Sequence, residues 1–362
     1  MKIKRILKWS ALAILLILFA WFEFAYWTST NDCDQKTGAP THPMKAIRYC
    51  EYGPPDEVLK LEQAEKPVPN DNQILVRIRA VSLRFFDGGM LQGGVGRLVF
   101  GLRKPKNTTP GSDFSGTVET VGSNVTEFKP GDEVFGVRAG ALAEYICVTA
   151  SRAVVLKPGN VTFEQAASIP TALTALQGLR DTGRVKPGQK VLINGASGGV
   201  GTFAVQIAKA FGAEVTGVCS TRNVDLVRSI GADRVMDYTR EDFVRDGQRY
   251  DMLFDVAWTH SGSDCRRVLT PNGIHVLAGQ SSREKPSILP LLLAPLVSRF
   301  RRQKLVSYIA KHSNADLVAL KELIEAGKVT PIIDRTFPLR EVPEAVRYLG
   351  EGHPRAKIVI TV

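Results

Sequence analysis

Short apolar runs separated by glycine turns fill the middle of the chain, and the clearest of them starts at Lys190. The run 191–193 has the composition and length of a buried parallel strand. Apolar residues then recur at helical spacing over 202–211, and Gly212 follows where such a helix would end. The pattern predicts a strand, a turn and a helix over residues 190–212.

The turn between that strand and that helix is rich in glycine. Such a turn binds anions, because its backbone approaches a pyrophosphate closely and the helix N-terminus supplies free amides and a positive dipole. Ala196 replaces the first glycine of the usual fingerprint, and a second strand over 213–219 follows at the expected distance. The alternative is a glycine turn kept for packing. We predict a dinucleotide site formed by Ala196, Ser197, Gly198, Gly199, Val200 and Gly201.

The end of the second strand indicates which dinucleotide binds. NAD sites place a carboxylate there to bond the ribose hydroxyls, whereas this chain has Ser220, Thr221 and Arg222. Two hydroxyls and a guanidinium can hold a 2′-phosphate. We therefore predict NADPH rather than NADH. The alternative is that Arg222 only begins the next helix and is exposed.

Further strand patterns complete two domains. Strands are predicted near 231–239, 250–256 and 273–279, and the carboxyl ends of such strands face the ligand crevice. The cofactor site therefore also includes Asp255, Leu277 and Gly279. Residues 44–158 alternate short apolar runs with Gly and Pro turns, which predicts a small, mostly β domain of barrel type.

Composition and charge narrow the partners. The 362 residues suffice for two domains, and the net charge of +11 favours anionic partners such as NADPH or a lipid surface. The chain has no arginine-rich tract, so we predict no nucleic-acid partner. The five cysteines are scattered and odd in number, which predicts neither a disulfide framework nor a metal knuckle.

The N-terminus resembles a membrane anchor. Four basic residues among the first eight precede an apolar run over 9–27 whose only charge is Glu23. This run is about as long as a bilayer is thick and has aromatic residues at both ends. We predict an uncleaved single-pass anchor over 1–30 and a polar linker over 31–43; the alternative is a cleaved signal peptide. The basic residues would send the remainder across the membrane, whereas NADPH is a cytoplasmic cofactor, so the side of the soluble domain stays open.

Several segments together resemble the medium-chain dehydrogenase/reductase superfamily, and most closely its zinc-free quinone oxidoreductase (zeta-crystallin-like) branch. The motifs are PGSDFSGTVETVG, FKPGDEVFG, GASGGVG, GADRVMDYT and RAKIVITV. The resemblance implies an α/β protein with a GroES-like, mostly β catalytic domain over 44–165, completed by 310–362. It also implies a Rossmann domain, a doubly wound parallel sheet, over 166–309, with NADPH in the cleft and a homodimeric assembly.

The same resemblance implies roles for residues of the catalytic domain. Positions that hold zinc in other members are occupied by 82–87 and 111–113, whose hydroxyls, Arg and Asp are not a zinc ligand set, so we predict no metal. Arg84 departs from the usual asparagine and could stabilise a developing oxyanion, or pair with Asp87 at the surface. Thr174 matches a threonine at the nicotinamide, although it could be an ordinary buried threonine. Tyr238 matches a tyrosine near the adenosine phosphate. The candidate catalytic residues are Arg84, Asp87 and Thr174.

These features predict an NADPH-dependent oxidoreductase that transfers hydride to a quinone or an α,β-unsaturated carbonyl, without zinc. The alternatives are a 2-enoyl thioester reductase and an inactive NADPH-binding membrane protein. The electron acceptor is a small molecule that could be lipid-soluble. The apolar run 288–297, which a basic cluster follows, could rest on a bilayer or form a lid or dimer segment.

Overall fold

A computed structural model describes residues 23, 26–34, 38–93, 97, 101–278, 302–352 and 355–362. Two extended sheets and one two-stranded sheet make up its β structure. The predicted run 288–297 and Gly279 lie outside the described residues.

The first large sheet contains residues from both ends of the described chain. Its strands are antiparallel except for one parallel pair near the C-terminus, and β1 and β2 form a separate ribbon. The strands are β1 (Pro43–Arg48), β2 (Lys60–Glu65), β3 (Gln73–Ser82), β4 (Asp113–Val121), β5 (Glu133–Val137), β6 (Tyr145–Thr149) and β7 (Val154–Leu156). The last strand of the chain, described below, returns to pair with β3, and the strand before it pairs with that last strand. This mostly β region has the barrel-like character that its short apolar runs predict.

The second large sheet is parallel throughout the described residues, with the order β10-β9-β8-β11-β12-β13. Its strands are β8 (Lys190–Asn194), β9 (Glu214–Cys219), β10 (Arg234–Asp237), β11 (Tyr250–Asp255), β12 (Leu269–Leu277) and β13 (Lys304–Ser307). The order reverses beside β8, and this switch point is where open α/β sheets form a ligand crevice. The predicted Rossmann topology is therefore present.

Helices cover the sheets and connect them. They are α1 (Pro55–Val58), α2 (Phe85–Gln92), α3 (Phe163–Ser168), α4 (Ala172–Gln177), α5 (Gly201–Ala210), α6 (Val224–Ser229), α7 (Gly262–Arg267), α8 (Asn314–Glu325) and α9 (Val342–Gly350). The chain ends with β14 (Ile333–Pro338) and β15 (Lys357–Thr361). The Ser313 hydroxyl caps the N-terminus of α8 by accepting a hydrogen bond from the Asp316 amide.

One apolar core joins the two regions. Leu173 and Leu176 of α4 pack in the same cluster as Phe203 of α5 and Phe135 of β5. Leu317 on α8 also belongs to this cluster. Apolar packing of α4 and α8 therefore connects the two regions that border the cleft.

The N-terminal prediction is wrong. Of the run 9–27, the structure describes only Glu23, Tyr26 and Trp27. Within the described part of the chain, no helix has the length and apolar character that crossing a bilayer requires. Residues 1–22, 24 and 25 of the predicted anchor lie outside the described residues, and the predicted single-pass membrane localisation is withdrawn.

The predicted linker begins with a packed segment and a disulfide, which corrects the expectation for the cysteines. Cys33 and Cys50 are bonded, with their Cα atoms 5.8 Å apart. The buried Asn31 amide donates to the Cys50 carbonyl at 3.0 Å and to the Pro105 carbonyl at 3.2 Å. Residues 31–34 are therefore held against the catalytic domain, and widely spaced cysteines gave no local signal of this pairing.

Candidate active site

A cleft of about 1510 Å³ lies at the carboxyl ends of the parallel strands, against the β-rich region. Its walls come from the glycine turn before α5, the ends of β9, β11 and β12, α4, and the starts of α2 and β15. We call the part lined by Leu83, Arg84, Thr171, Thr174 and Lys357 the Arg84 end. The cleft therefore brings together residues from both domains, as the sequence predicts.

The glycine turn lies on the cleft wall. Ser197, Gly198, Gly199 and Val200 line the cleft. Ala196 and Gly201 do not: Ala196 is buried behind the turn, and its amide donates to the Val218 carbonyl at 2.9 Å. A Cβ on Gly201 would lie only 2.0 Å from the Gly195 carbonyl oxygen, so glycine is required there for packing.

The predicted 2′-phosphate residues divide into two groups. Ser220, Arg222 and Tyr238 line the cleft, whereas Thr221 does not. The Thr221 hydroxyl donates to the Asp237 carboxylate at 2.6 Å, so it supports the loop instead of facing a ligand. This corrects its predicted role.

Asn223 is a cofactor-site candidate that the sequence reasoning missed. Its side-chain amide donates to the hydroxyls of Ser197 (3.1 Å) and Ser220 (3.2 Å), which joins the glycine turn to the end of β9. Its buried Oδ1 has no hydrogen-bond partner among the described residues. Asn223 therefore connects two parts of the cleft wall through its side-chain amide.

Arg84 lines the cleft, but its partner is not the predicted one. Its guanidinium lies 3.6 Å from the Asp113 carboxylate, measured from Nε to Oδ1, and donates to the Ser112 hydroxyl. Asp113 is fully buried and also accepts from the Thr171 hydroxyl at 3.1 Å. The side chain of Arg84 is 32% exposed. The Arg84 guanidinium is therefore held by Ser112 and Asp113 on one side and is accessible from the cleft on the other.

Asp87 has a structural contact instead of the predicted catalytic position. Its carboxylate accepts from the Arg84 backbone amide at 2.7 Å at the start of α2, and the residue does not line the cleft. Burial raises the pKa of Asp87, while the nearby Arg84 charge opposes the rise. Asp87 therefore holds the backbone of Arg84 in place and acts on the site only through that residue.

Lys357 is a second residue that the sequence reasoning missed. It is the first residue of β15, is 3% exposed, and lines the cleft. Its Nζ donates to the Leu83 carbonyl at 2.6 Å and to the Thr171 hydroxyl at 2.8 Å. Burial lowers the pKa of Lys357 to about 8, and the Asp113 carboxylate opposes that shift. A charged residue at the head of an apolar strand was the available signal.

Thr174 and His312 complete the Arg84 end of the cleft. Thr174 lines the cleft, and its carbonyl accepts a hydrogen bond from the Tyr308 hydroxyl. His312, which the sequence reasoning did not single out, also lines the cleft. Desolvation and the nearby Arg84 charge lower the pKa of His312. The imidazole is therefore neutral near pH 7 and can exchange hydrogen bonds with a ligand.

The ends of β11 and β12 contribute less directly than predicted. Leu277 lines the cleft, whereas the buried Asp255 carboxylate does not. Asp255 accepts from the Asn194 side chain (2.9 Å) and the Trp258 amide (2.9 Å), and it lies 3.1 Å from the His275 ring nitrogen. Asn194 and Trp258 both line the cleft, so Asp255 positions cleft residues from below.

One cluster among the described residues has the composition of a metal site. Ligand atoms of Asp255, Cys265 and His275 lie within 4.8 Å of one another and are buried. The two carboxylate oxygens already contact hydrogen-bonding partners, and burial raises the pKa of the Cys265 thiol to about 12. The cluster is therefore explained by packing and hydrogen bonding.

Two family descriptions match the two regions of the chain. Residues 70–159 match the alcohol dehydrogenase GroES-like domain. Residues 230–360 match a family described as zinc-binding dehydrogenase.

Individual relatives cover most of the chain. A mitochondrial NAD(P)H oxidoreductase of Mus musculus, RTN4IP1, is 33% identical and is aligned over 90% of this chain and 91% of its own. A chloroplastic NADPH-dependent alkenal/one oxidoreductase of Arabidopsis thaliana is 33% identical over 88% of this chain and 79% of its own. The structure of the quinone oxidoreductase from Coxiella burnetii superposes with a TM-score of 0.76 at 30% identity, over 88% of this chain and 99% of that one. The chain therefore belongs to the medium-chain dehydrogenase/reductase superfamily, in the same group as its NAD(P)H-dependent quinone and alkenal oxidoreductases.

Proposed function

We propose that this protein is an NADPH-dependent reductase of quinones or α,β-unsaturated carbonyl compounds and that it works without zinc. Its relatives include an alkenal/one oxidoreductase, a quinone oxidoreductase and an NAD(P)H oxidoreductase, which supports this class of enzyme. The observation that carries the proposal is the cleft itself, which has a glycine turn at one end and an anchored, cleft-facing guanidinium at the other.

The residues of the glycine turn and of the β9 end fit NADPH. Ser197, Gly198 and Val200 present backbone at a helix N-terminus, where a pyrophosphate is held by amides and the helix dipole. Arg222, Ser220 and Tyr238 would hold the 2′-phosphate. The acid at this edge, Asp237, already accepts hydrogen bonds from Thr221 and Thr239, so it is turned away from the role that a carboxylate has in NAD sites.

The Arg84 end fits an acceptor that gains negative charge. Bound NADPH supplies the hydride, and the acceptor oxygen becomes an enolate or a quinol anion. The Arg84 guanidinium, fixed by Ser112 and Asp113, would stabilise that oxygen electrostatically. Thr174 would orient the nicotinamide carboxamide through its hydroxyl. A quinol anion can take its final proton from solvent.

The residues near Arg84 do not resemble a catalytic zinc site. The positions that hold zinc in other superfamily members are occupied by 82–87 and 111–113. The Asp113 carboxylate is bonded to Thr171 and paired with Arg84, and zinc prefers nitrogen and sulfur ligands in a tetrahedral set. We therefore propose that Arg84 supplies the electrostatic stabilisation that a metal would otherwise provide.

Turnover with defined acceptors tests this proposal. We expect the purified chain to oxidise NADPH, followed by its near-ultraviolet absorbance, when a benzoquinone or an aliphatic enone is added. Oxidation should be much faster with NADPH than with NADH, and a chelator should leave it unchanged. Tight NADPH binding without turnover on any acceptor would favour an inactive nucleotide-binding protein. Loss of activity on chelation would refute the zinc-free mechanism.

Assembly as a homodimer remains part of the proposal, since the family resemblance implies it. Light scattering of the purified chain measures its mass directly, and a monomeric mass would remove this element without affecting the reductase proposal.

A further inference from the structure

A buried lysine lies where three separate elements of the cleft meet. Lys357 begins β15, and its ammonium donates to the Leu83 carbonyl at 2.6 Å, just before Arg84. A second hydrogen bond, 2.8 Å long, reaches the hydroxyl of Thr171, directly before α4. Lys357 therefore connects the segment around Leu83 and Arg84, which we call the Arg84 loop, to the start of α4, the helix that carries Thr174.

The glycine turn is the third element. A Cβ built on Gly199 would lie 2.9 Å from the Cδ atom of Lys357, so the lysine stem passes directly over this glycine. The residue before the lysine, Ala356, donates its amide to the Ser197 carbonyl at 2.8 Å. The start of β15 therefore packs on the glycine turn, while the ammonium of Lys357 reaches the Arg84 end of the cleft.

The charges around this lysine do not form a direct ion pair with it. Its two hydrogen-bond acceptors are neutral. The charged groups that influence it are Asp113 on β4 together with Arg84 and Asp87 at the start of α2. The pKa of His312 is in turn influenced by the charges of Arg84 and Asp113. The Asp113 carboxylate is already engaged by Thr171 and Arg84, so the ammonium adds positive charge to this end of the cleft.

We propose that Lys357 is a positioning residue that joins the Arg84 loop, α4 and the glycine turn, and that its ammonium makes the nicotinamide end of the cleft electropositive. This inference rests on the proposed function, because it assumes that NADPH binds with its nicotinamide at the Arg84 end. A positive charge there favours the anionic product of hydride transfer. It also disfavours NADP+, whose ring is cationic, relative to NADPH, whose ring is neutral.

The affinities of the two nucleotides test this assignment without any turnover. We expect the ratio of the NADP+ and NADPH dissociation constants to fall about tenfold in Lys357→Met, since the Met side chain keeps most of the lysine's apolar length and removes the charge. Burial lowers the pKa of Lys357 to about 8. The wild-type ratio should therefore fall towards that of the variant as the pH rises from 7 through about 8, while the ratio of the variant stays constant. His312 does not disturb this window, because its lowered pKa places its titration below it.

Lys157→Met is the matched control. The Lys157 side chain is also buried, at 7% exposure, pairs with Glu133 at 3.1 Å, and does not line the cleft. We expect this variant to keep the wild-type ratio and its pH dependence. If Lys357→Met does not fold, the pH dependence of the wild-type ratio still tests the assignment.

An unchanged ratio in Lys357→Met, or a wild-type ratio that is flat between pH 7 and 9, would overturn the inference. Failure of the proposed function is a different result, in which both nucleotides bind with the expected ratio but no quinone or enone is reduced. Absence of NADPH binding would overturn both.

Discussion

The two ends of the cleft are built in different ways. The glycine turn is one continuous segment, in which 197–200 line the cleft between β8 and α5. The Arg84 end is assembled from parts that are far apart in sequence, and Lys357 bonds to a carbonyl 274 residues away. The first end uses backbone amides and needs small residues. The second uses side chains whose charges are buried and mutually dependent.

This difference has an energetic consequence. Backbone amides at a helix N-terminus carry no net charge, so the glycine turn is stable without its ligand. Asp113, Arg84 and Lys357 carry full charges in a poorly solvated place, and each depends on the others for compensation. We therefore expect single substitutions to be more damaging at the Arg84 end than at the glycine turn.

The largest effect is expected for Asp113→Asn. This change removes the buried carboxylate that pairs with Arg84 and whose charge also favours the Lys357 ammonium, and breaking a buried pair from one side costs about 3 kcal/mol or more. Urea-induced unfolding of the purified variant measures this loss. The double variant Asp113→Asn/Lys357→Met should recover part of it, because removing one cation lowers the uncompensated charge. A single variant as stable as wild type would show that the charges at this end are independent.

The glycine turn and the Arg84 end also differ in how well they can be predicted from the sequence. The β8–turn–α5 unit could be predicted because its signals, apolar spacing and glycines, are local. The proposed 2′-phosphate site rests on a local signal as well, Ser220 and Arg222 directly after β9. Thr221 was misassigned because its hydroxyl is taken by Asp237, which comes from the neighbouring strand. The alternative interpretation, in which Arg84 pairs with Asp87, rested on sequence proximity, whereas the guanidinium pairs with Asp113 on another element. No local pattern reports contacts of that kind.

A smaller effect is expected at the glycine turn, from Gly201→Ala. The added Cβ would lie 2.0 Å from the Gly195 carbonyl oxygen and 2.9 Å from the Ala196 backbone, so the turn must shift. Overpacking of this kind costs about 1–3 kcal/mol, and the displaced amides should weaken NADPH binding as well. Gly198→Ala is the control for stability, because the nearest atom to its Cβ is 3.5 Å away. Thermal unfolding with and without NADPH measures both quantities, and equal behaviour of the two variants would contradict the packing argument.

The smallest effect is expected for Arg222→Ala, which should alter cofactor choice. Arg222 lines the cleft beside Ser220 and Tyr238. A hydrogen bond to a charged group, such as a 2′-phosphate, contributes about 1.5–3 kcal/mol. We therefore expect kcat/KM for NADPH to fall at least about tenfold while the value for NADH stays the same. Arg228→Ala removes an equal charge from the exposed face of α6, where the guanidinium pairs only locally with Asp225, and should leave both values unchanged. Equal losses with the two nucleotides in Arg222→Ala would place this arginine outside the 2′-phosphate site, and the preference for NADPH would then depend on Ser220 and Tyr238.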